Sequence, residues 1–308
     1  MIVELAQAAF LIAIAPLVTG MIRKLKALLQ SRKGPGVFQP YYDLYKLFRK
    51  DTVVSRNTSW VFRITPYVSM TAILVAALLV PAFTSSTPGF FGDLIVFIYL
   101  LAMVRFFMAL AALDAGSAFG GMGSSREMTI ASLAEPTMLL AIFALALVVG
   151  TTSLGGISDQ LAVSGLALVR PSLFLAFAAF FIATLAENAR LPVDNPSTHL
   201  ELTMIHEAMV LEYSGKQLAL VELAGMARLV LFLAILSSVF LPWGIATDAS
   251  AASLAVGLIV FLAKVGVLVA GIALIESSFS KMRLFRVPNL LTVSFTLALL
   301  AVISFYIL

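Results

Sequence analysis

Apolar runs and polar connections alternate along the whole chain, and eight of the runs are long enough to cross a bilayer. They lie near Ile2–Met21, Tyr67–Phe83, Leu94–Leu113, Met128–Val149, Pro171–Glu187, Leu218–Leu241, Leu254–Glu276 and Pro288–Leu308. Each holds roughly 17–24 residues, which at helical rise covers a hydrocarbon core about 30 Å thick. Within a run, polar and apolar positions do not alternate with a period of two, so barrel strands are excluded. The pattern predicts an all-α, polytopic transmembrane helical bundle of about eight spans, a single integral membrane domain over residues 1–308. The sixth run is the weakest, because Glu222 and Arg228 interrupt its first turns. Pro192, just after the fifth run, predicts that the helix stops there. A second helix is expected from Leu200 onward.

Composition narrows the class. The chain is 61% hydrophobic with mean hydropathy +1.05, outside the range of soluble globular domains. It has no cysteine, which excludes disulfides and cysteine-ligated iron–sulfur or nickel–iron centres in this chain. Any such redox metal must sit in a partner. Met1 to Thr19 lacks a basic n-region and a clear small-residue cleavage site, so it reads as the first span and not as a cleaved signal.

The charges sort by side. The segment between the first two spans carries Arg23, Lys24, Lys26, Arg32, Lys33, Lys46, Arg49, Lys50, Arg56 and Arg63. The connections after spans three, five and seven hold Arg126, then Arg190 and Lys216, then Lys281, Arg283 and Arg286. The alternate connections, Thr84–Asp93, Gly150–Arg170 and Pro242–Ser253, have Arg170 as their only basic residue. The positive-inside rule places the basic connections in the cytoplasm and both termini on the outer side of a prokaryotic plasma membrane. The net charge of +4 is therefore a membrane signature and not a nucleic-acid one.

Nearly all the polar chemistry falls on the basic side. Gly34-Pro35-Gly36 predicts a tight turn before an amphipathic stretch. There Tyr42, Leu44, Tyr45, Leu47 and Phe48 interleave with Asp43, Lys46, Arg49 and Lys50, as expected of a helix on the membrane surface. Arg32, Lys33, Lys46, Arg49 and Lys50 are candidates for docking a soluble partner. From Ala115 to Glu127 small residues read as a flexible lead from Asp114 to Arg126-Glu127. Arg126 and Glu135 are nine apart, so they do not share a helix face; Arg105 in span three is the expected partner of Glu135. Glu187 and Arg190, three apart, are expected to pair. On the helix expected from Leu200, Glu201 and Glu212 lie about three turns apart and Glu207 on another face. Asp194, Glu222, Lys264 and Glu276 complete a row of charges across spans three to seven. One buried pair reads as structural; such a row more often marks a proton or ion path. His199 and His206 are seven apart, but a zincin motif would need histidine where Val210 stands, and no third histidine exists. They read as hydrogen-bonding or proton-relay groups.

Three segments in order carry a family resemblance: RKGPGVFQPYYDLYKLFRKD, GMGSSREMTIASLAEP and LAENARLPVDNPSTHLELTMIHEAMVLEYSG. Together with eight spans they resemble the membrane subunit related to subunit 1 of respiratory complex I. Within that family the chain looks most like the version in group 4 energy-converting nickel–iron hydrogenases and formate hydrogenlyases. The resemblance places Glu187, Arg190, Asp194, Glu201 and Glu212 on the family's acidic loop, and Arg126 and Glu135 on its R…E pair. It implies a chain that binds no cofactor itself and anchors partners. Hydrogenase large and small subunits and iron–sulfur subunits would dock on the cytoplasmic face, and antiporter-like subunits would lie beside it in the bilayer. Where complex I has a more acidic run after its aspartate, this chain has NPSTHLEL, which favours hydrogenase over quinone chemistry. A quinone-site subunit, a stand-alone ion transporter and a purely structural anchor are the competing readings.

Overall fold

The computed structural model describes residues 2–85, 93–164, 171–194, 204–246 and 250–307. His199 and Glu201 lie outside the described residues. Eleven α-helices are described: α1 (Ile2–Leu29), α2 (Gln39–Arg49), α3 (Trp60–Leu79), α4 (Asp93–Asp114), α5 (Ala118–Val149), α6 (Leu154–Ser164), α7 (Pro171–Glu187), α8 (His206–Val210), α9 (Gly215–Ser238), α10 (Ala251–Ser278) and α11 (Val287–Ile307). Seven are long and apolar enough to cross a membrane, and α7 is a shorter apolar helix of 17 residues. These eight coincide with the eight runs. Among the described residues the one β-bridge joins Thr84 to Ala246.

The interrupted sixth run turns out to be the centre of the bundle. In α9 every residue from Met226 to Ser238 is buried. Helices α1, α3, α7 and α10 pack against it, with α2 across its start; α11 lies against α5 and α7. Apolar side chains from all these helices make one continuous core that includes Phe97, Phe180 and Phe232. In a bilayer that packing rests on close contact, because lipid tails compete equally well for apolar surface.

Three boundaries differ from the sequence pattern. Helix α1 runs to Leu29, eight residues beyond Met21, so Arg23 and Lys26 stand on a helix projecting from the span. Helix α5 begins at Ala118, capped by the Ser117 hydroxyl. The expected flexible lead is therefore helix from Ala118, and two of its glycines are points of close approach: a Cβ at Gly120 would stand 2.4 Å from the Ala112 carbonyl oxygen, and one at Gly123 2.9 Å from the Ile205 carbonyl oxygen. The helix expected from Leu200 is broken over its described part. Only His206–Val210 is helical before a turn leads to α9, so Glu207 and Glu212 do not share one helix. The connection after α5 also holds a helix the pattern left unassigned, α6. It buries Leu154, Ile157 and Leu161, and its Ser158 hydroxyl donates to the Ser238 carbonyl at 2.8 Å.

The segment joining α1 to α3 folds back against the bundle. Helix α2 buries Pro40 and Leu44 and leaves Tyr42, Tyr45 and Phe48 exposed, as expected of a surface helix. The approach to α2 is possible because position 20 has no side chain: a Cβ at Gly20 would stand 1.9 Å from the Val37 carbonyl oxygen. Gly20→Ala should therefore lower stability by about 1–3 kcal/mol, seen as a reduced midpoint of thermal unfolding in detergent. Gly271→Ala, where an added Cβ meets nothing within 4 Å, should leave the midpoint unchanged.

Candidate functional site

Helices α4, α5 and α7 bring four charged side chains together inside the bundle. The Arg105 guanidinium is 3% exposed. Its Nη1 lies 3.0 Å from Glu135 Oε1, its Nη2 donates to Glu187 Oε2, and its Nε stands 3.9 Å from Glu127 Oε1. Arg105 is thus the partner of Glu135, as its spacing from Arg126 required. Arg228 on α9 is 5% exposed, and the Glu187 and Glu127 carboxylates attract it through space. With all groups ionised, two guanidiniums face three carboxylates, leaving one net negative charge. A single proton neutralises the set.

Glu187 does not pair with Arg190. Helix α7 ends at Glu187 and Ala189 takes a left-handed φ of 48°, so helical i,i+3 spacing no longer applies. Arg190 turns instead to Glu276 on α10, with Nη1 3.3 Å from Oε1, and Lys26 reaches the other oxygen of Glu276 at 3.1 Å. This second ion-pair group ties α1 and α10 to the start of the α7–α9 connection. Asp194 organises that connection: it pairs with Lys281 at 2.8 Å and accepts from the Ile205 and His206 backbone N–H groups at 3.3 Å each. Arg126 holds the same stretch by donating to the Met204 carbonyl at 2.9 Å.

Between the projecting end of α1, the start of α9 and the residues after α7 lies a cavity of about 610 Å³. Its wall is mixed. Arg23, Lys26, Arg190 and Arg228 stand with Glu207, Glu222 and Glu276, and Val210, Val221, Met226 and Leu229 supply apolar surface. Gly34 and Pro35 border it, so the glycine–proline turn is part of this site. His206 lines the cavity too, its pKa pushed down to about 4, first by burial and then by Arg228. It is neutral at pH 7. Glu207 is pushed up to about 7, first by burial and then by the Glu222 and Asp194 carboxylates.

The structure separates the other candidates. Glu212 is exposed in the turn before α9 and does not line the cavity. Its neighbour Tyr213 is buried, stacked on Phe62 with ring centroids 4.1 Å apart. Lys264 is not a charge partner among the described residues. Its ammonium donates to the Ser237, Leu241 and Trp243 carbonyls at the end of α9. Ser237 is in the last turn of α9, where carbonyls lack a partner within the helix, and Leu241 and Trp243 follow just beyond its end at Ser238; the lysine supplies a donor to all three. Arg32, Lys33, Lys46, Arg49 and Lys50 are all exposed, with Arg49 over the Tyr45 ring at 4.3 Å. Among the described residues, no group of three or more His, Asp or Glu is placed to hold a metal ion. Two central charges, Glu127 and Arg228, were not singled out from the sequence. For Arg228 the available signal was its position inside a span, where any ionisable residue is a functional candidate; Glu127 falls one residue before the fourth run and became part of a span only when α5 was seen to begin at Ala118.

A polytopic bundle of apolar helices around a buried arginine–carboxylate cluster, with a polar cavity beside it, defines the class: a multi-pass helical membrane protein. Comparison with known proteins gives the family. The chain matches the NADH dehydrogenase family across residues 2–307 and belongs to it. It is 37% identical over 304 residues to hydrogenase-4 component C of Escherichia coli (strain K12), covering 97% of this chain and 94% of that protein. It is also 37% identical over 301 residues to formate hydrogenlyase subunit 4 of the same organism, covering 97% of each. More distantly, it is 30% identical over 237 residues to NADH-quinone oxidoreductase subunit 8 of Thermus thermophilus, covering 71% of this chain and 63% of that protein. Its fold matches a chain in the structure of the membrane-bound sulfane sulfur reductase, an archaeal respiratory membrane complex, with a TM-score of 0.83, 22% identity and 97% coverage of each chain.

Two predictions follow from the geometry. Arg105→Met leaves three carboxylates facing one another in the bundle. It should cost about 3–5 kcal/mol of stability, and Arg105→Lys less, measured by thermal unfolding in detergent. Folded Glu207 keeps its proton to about pH 7, whereas an unfolded glutamate releases it near about 4.3. Between these values the folded state binds more protons, so this contribution makes stability fall as pH rises through that window. Glu207→Gln should remove that slope when unfolding midpoints are compared from pH 5 to pH 8.

Proposed function

We propose that this chain is the membrane anchor and energy-coupling subunit of a membrane-bound hydrogenase complex of the formate hydrogenlyase kind. The observation that carries the reading is the cluster of Glu127, Glu135 and Glu187 around Arg105, buried next to a polar cavity on the basic side of the bundle. The 37% identity to two hydrogenase-related membrane proteins across nearly the whole chain supports the assignment of the complex. In this reading the basic side is cytoplasmic and both termini lie outside. Large and small hydrogenase subunits and iron–sulfur subunits dock over Arg32, Lys33, Lys46, Arg49 and Lys50, and they supply the nickel–iron centre and the clusters. Antiporter-like subunits lie beside the chain in the bilayer.

The chain's own part is electrostatic. Electron transfer in a docked partner changes the charge near the cavity. The input groups are Asp194, His206, Glu207 and Glu222, together with His199, Glu201 and Glu212 from the same connection. A charge change there alters the proton affinity of the Glu127–Glu135–Glu187 set, because neighbouring carboxylates in a low dielectric titrate together. Protonation of the set is then passed to ion movement in the adjacent membrane subunits.

The cavity's volume and its apolar patch favour a second reading, a quinone-site subunit. A quinone-site inhibitor that blocks turnover of the purified complex would support it. Dihydrogen evolution insensitive to such inhibitors supports the hydrogenase reading. In vesicles containing the whole complex, Glu187→Gln and Glu135→Gln should abolish ion movement while dihydrogen evolution with an artificial electron donor persists. Ion movement at the normal ratio to dihydrogen in both variants would refute coupling through this cluster and leave the chain a structural anchor.

A further inference from the structure

The wall of the cavity of about 610 Å³ is graded along α1. Thr19, Arg23, Lys26 and Gln30 follow one another at helical spacing and line it as a single stripe. The first apolar run ends at Met21. At helical rise Arg23 lies about 3 Å beyond that end and Lys26 about 7.5 Å beyond it. The headgroup layer of a bilayer is about 5–7 Å deep on each side of the hydrocarbon. The cavity therefore spans the depth of lipid headgroups, and exposed residues border it: Arg23, Gln30, Arg32 and Gly34.

Two features of this wall suit an anion. Arg23, Lys26, Arg32, Arg190 and Arg228 share it with Glu207, Glu222 and Glu276. With every carboxylate ionised, five cations against three leave two positive charges, and assigning Arg228 to the Glu127–Glu187 cluster still leaves one. Glu207, which keeps its proton to about pH 7, widens the excess. The second feature is a set of buried polar atoms with no hydrogen-bond partner among the described residues: Thr19 Oγ1, Asn188 Oδ1 and His206 Nδ1. All three residues line the cavity, and Thr19 is 4% exposed. Buried polar atoms are nearly always satisfied, and each one left without a partner costs free energy. The Thr19 hydroxyl can donate to a phosphate oxygen. Asn188 Nδ2 already donates to the Thr184 carbonyl at 2.8 Å, so Oδ1 is left to accept from a hydroxyl. Val210, Val221, Met226 and Leu229 add apolar surface beside these groups. A phosphate, a hydroxyl and hydrocarbon on one molecule describe a phospholipid of the phosphatidylglycerol type.

We propose that this cavity binds the headgroup of an anionic phospholipid. The phosphate sits among Thr19, Arg23 and Lys26, the glycerol hydroxyl meets Asn188, and the first part of the acyl chains lies against Val221, Met226 and Leu229 of α9. The site does not depend on the coupling role proposed above, and it gives the cavity an occupant other than a quinone. The bound phosphate offsets the excess positive charge of the wall and supplies the acceptor that the Thr19 hydroxyl lacks. Lys26 and Arg190 each meet Glu276 and keep further N–H donors for it. The lipid also ties the projecting end of α1 to α9 and to the residues after α7, which share the wall.

The test uses the complete complex in nanodiscs and a phosphatidylglycerol carrying a photoreactive group on its headgroup, with the cross-links mapped by peptide. Saturable labelling is expected on the Thr19–Gln30 stripe and on α9 between Val221 and Leu229. Unlabelled phosphatidylglycerol should displace the probe. At equal concentration, phosphatidylcholine with the same chains, inorganic phosphate and a short-chain quinone should not. Arg23→Gln should raise the half-saturating probe concentration at least about tenfold, in line with loss of a charge-assisted hydrogen bond, and Thr19→Val several-fold. Gly266→Leu on α10, where an added Cβ meets nothing within 4 Å, should leave labelling unchanged. Labelling spread evenly over the membrane surface of the complex, or equal displacement by phosphatidylcholine, overturns the proposal. Equal displacement by inorganic phosphate overturns a lipid as the source of the anion, and equal displacement by the quinone overturns it in favour of the quinone-site reading. Ion movement per dihydrogen is read in vesicles of the same preparation: a normal ratio without specific labelling removes the lipid site and leaves the proposed function standing. Should Arg23→Gln fail to assemble, Thr19→Val decides: unchanged labelling overturns the proposal, and weakened labelling restored by Thr19→Ser upholds it.

Discussion

The Arg105 guanidinium is the constraint on which the site depends. A carboxylate alone at this depth would cost several kcal/mol, and three close together would repel one another as well. One planar cation with a fork of donors meets Glu187 and Glu135 directly and leaves its Nε toward Glu127. Helices α4, α5 and α7 are therefore positioned by charge as well as by packing. The same arrangement leaves the set one positive charge short when Arg228 is counted. A group held together by complete neutralisation would resist protonation. This one has room for one proton without breaking up.

Close backbone approach supports that arrangement from outside. Gly123 lets α5 meet the Ile205 carbonyl, which a Cβ would bring within 2.9 Å. Gly20 lets the Val37 backbone lie on α1. At Gly215, φ is 52° and a Cβ would stand 2.4 Å from the Asp51 carbonyl oxygen, so α9 starts tight against the end of the first basic segment. Asp194, with Lys281 and two backbone N–H groups, then fixes where His206 and Glu207 enter the cavity wall. The two ion-pair groups have separate tasks. Glu276 with Arg190 and Lys26 closes one side of the cavity, and the Arg105 group lies behind its inner wall.

The bundle was legible because hydropathy is written residue by residue: all eight apolar runs are helices. The partner of Glu135 was legible because two residues nine apart on a helix cannot meet, which left the nearest cation in another span. What the sequence hid depends on where backbones meet. A run such as AGSAFGGMGSSRE has the composition of a flexible loop, and only the facing Ala112 and Ile205 carbonyls show it to be packed helix. Glu187 and Arg190 have helical spacing, but the helix ends between them. Lys264 reads as a charge in search of a carboxylate until the end of α9 is seen to offer it carbonyls. Arg228 read as a flaw in a span, because its worth lies in a cavity that no local pattern reveals.

Distance limits how such a chain can couple two events. At an effective dielectric of about 20, a unit charge roughly 10 Å from a carboxylate changes its energy by about 1.7 kcal/mol, a little over one pKa unit. A larger separation gives less, and salt on the exposed side screens it further. In the coupling proposed above, a charge change at the exposed basic face therefore cannot act on a distant membrane subunit in a single step. It needs titratable groups spaced closely enough for each to feel the last. The cavity wall, with Glu207 and Glu222, supplies groups next to the exposed face, and Glu127, Glu187 and Glu135 supply them inside the bundle. Glu135 is the most open of these, its side chain 33% exposed. An arginine-paired carboxylate left partly uncovered on a membrane helix is best satisfied when another helix covers it.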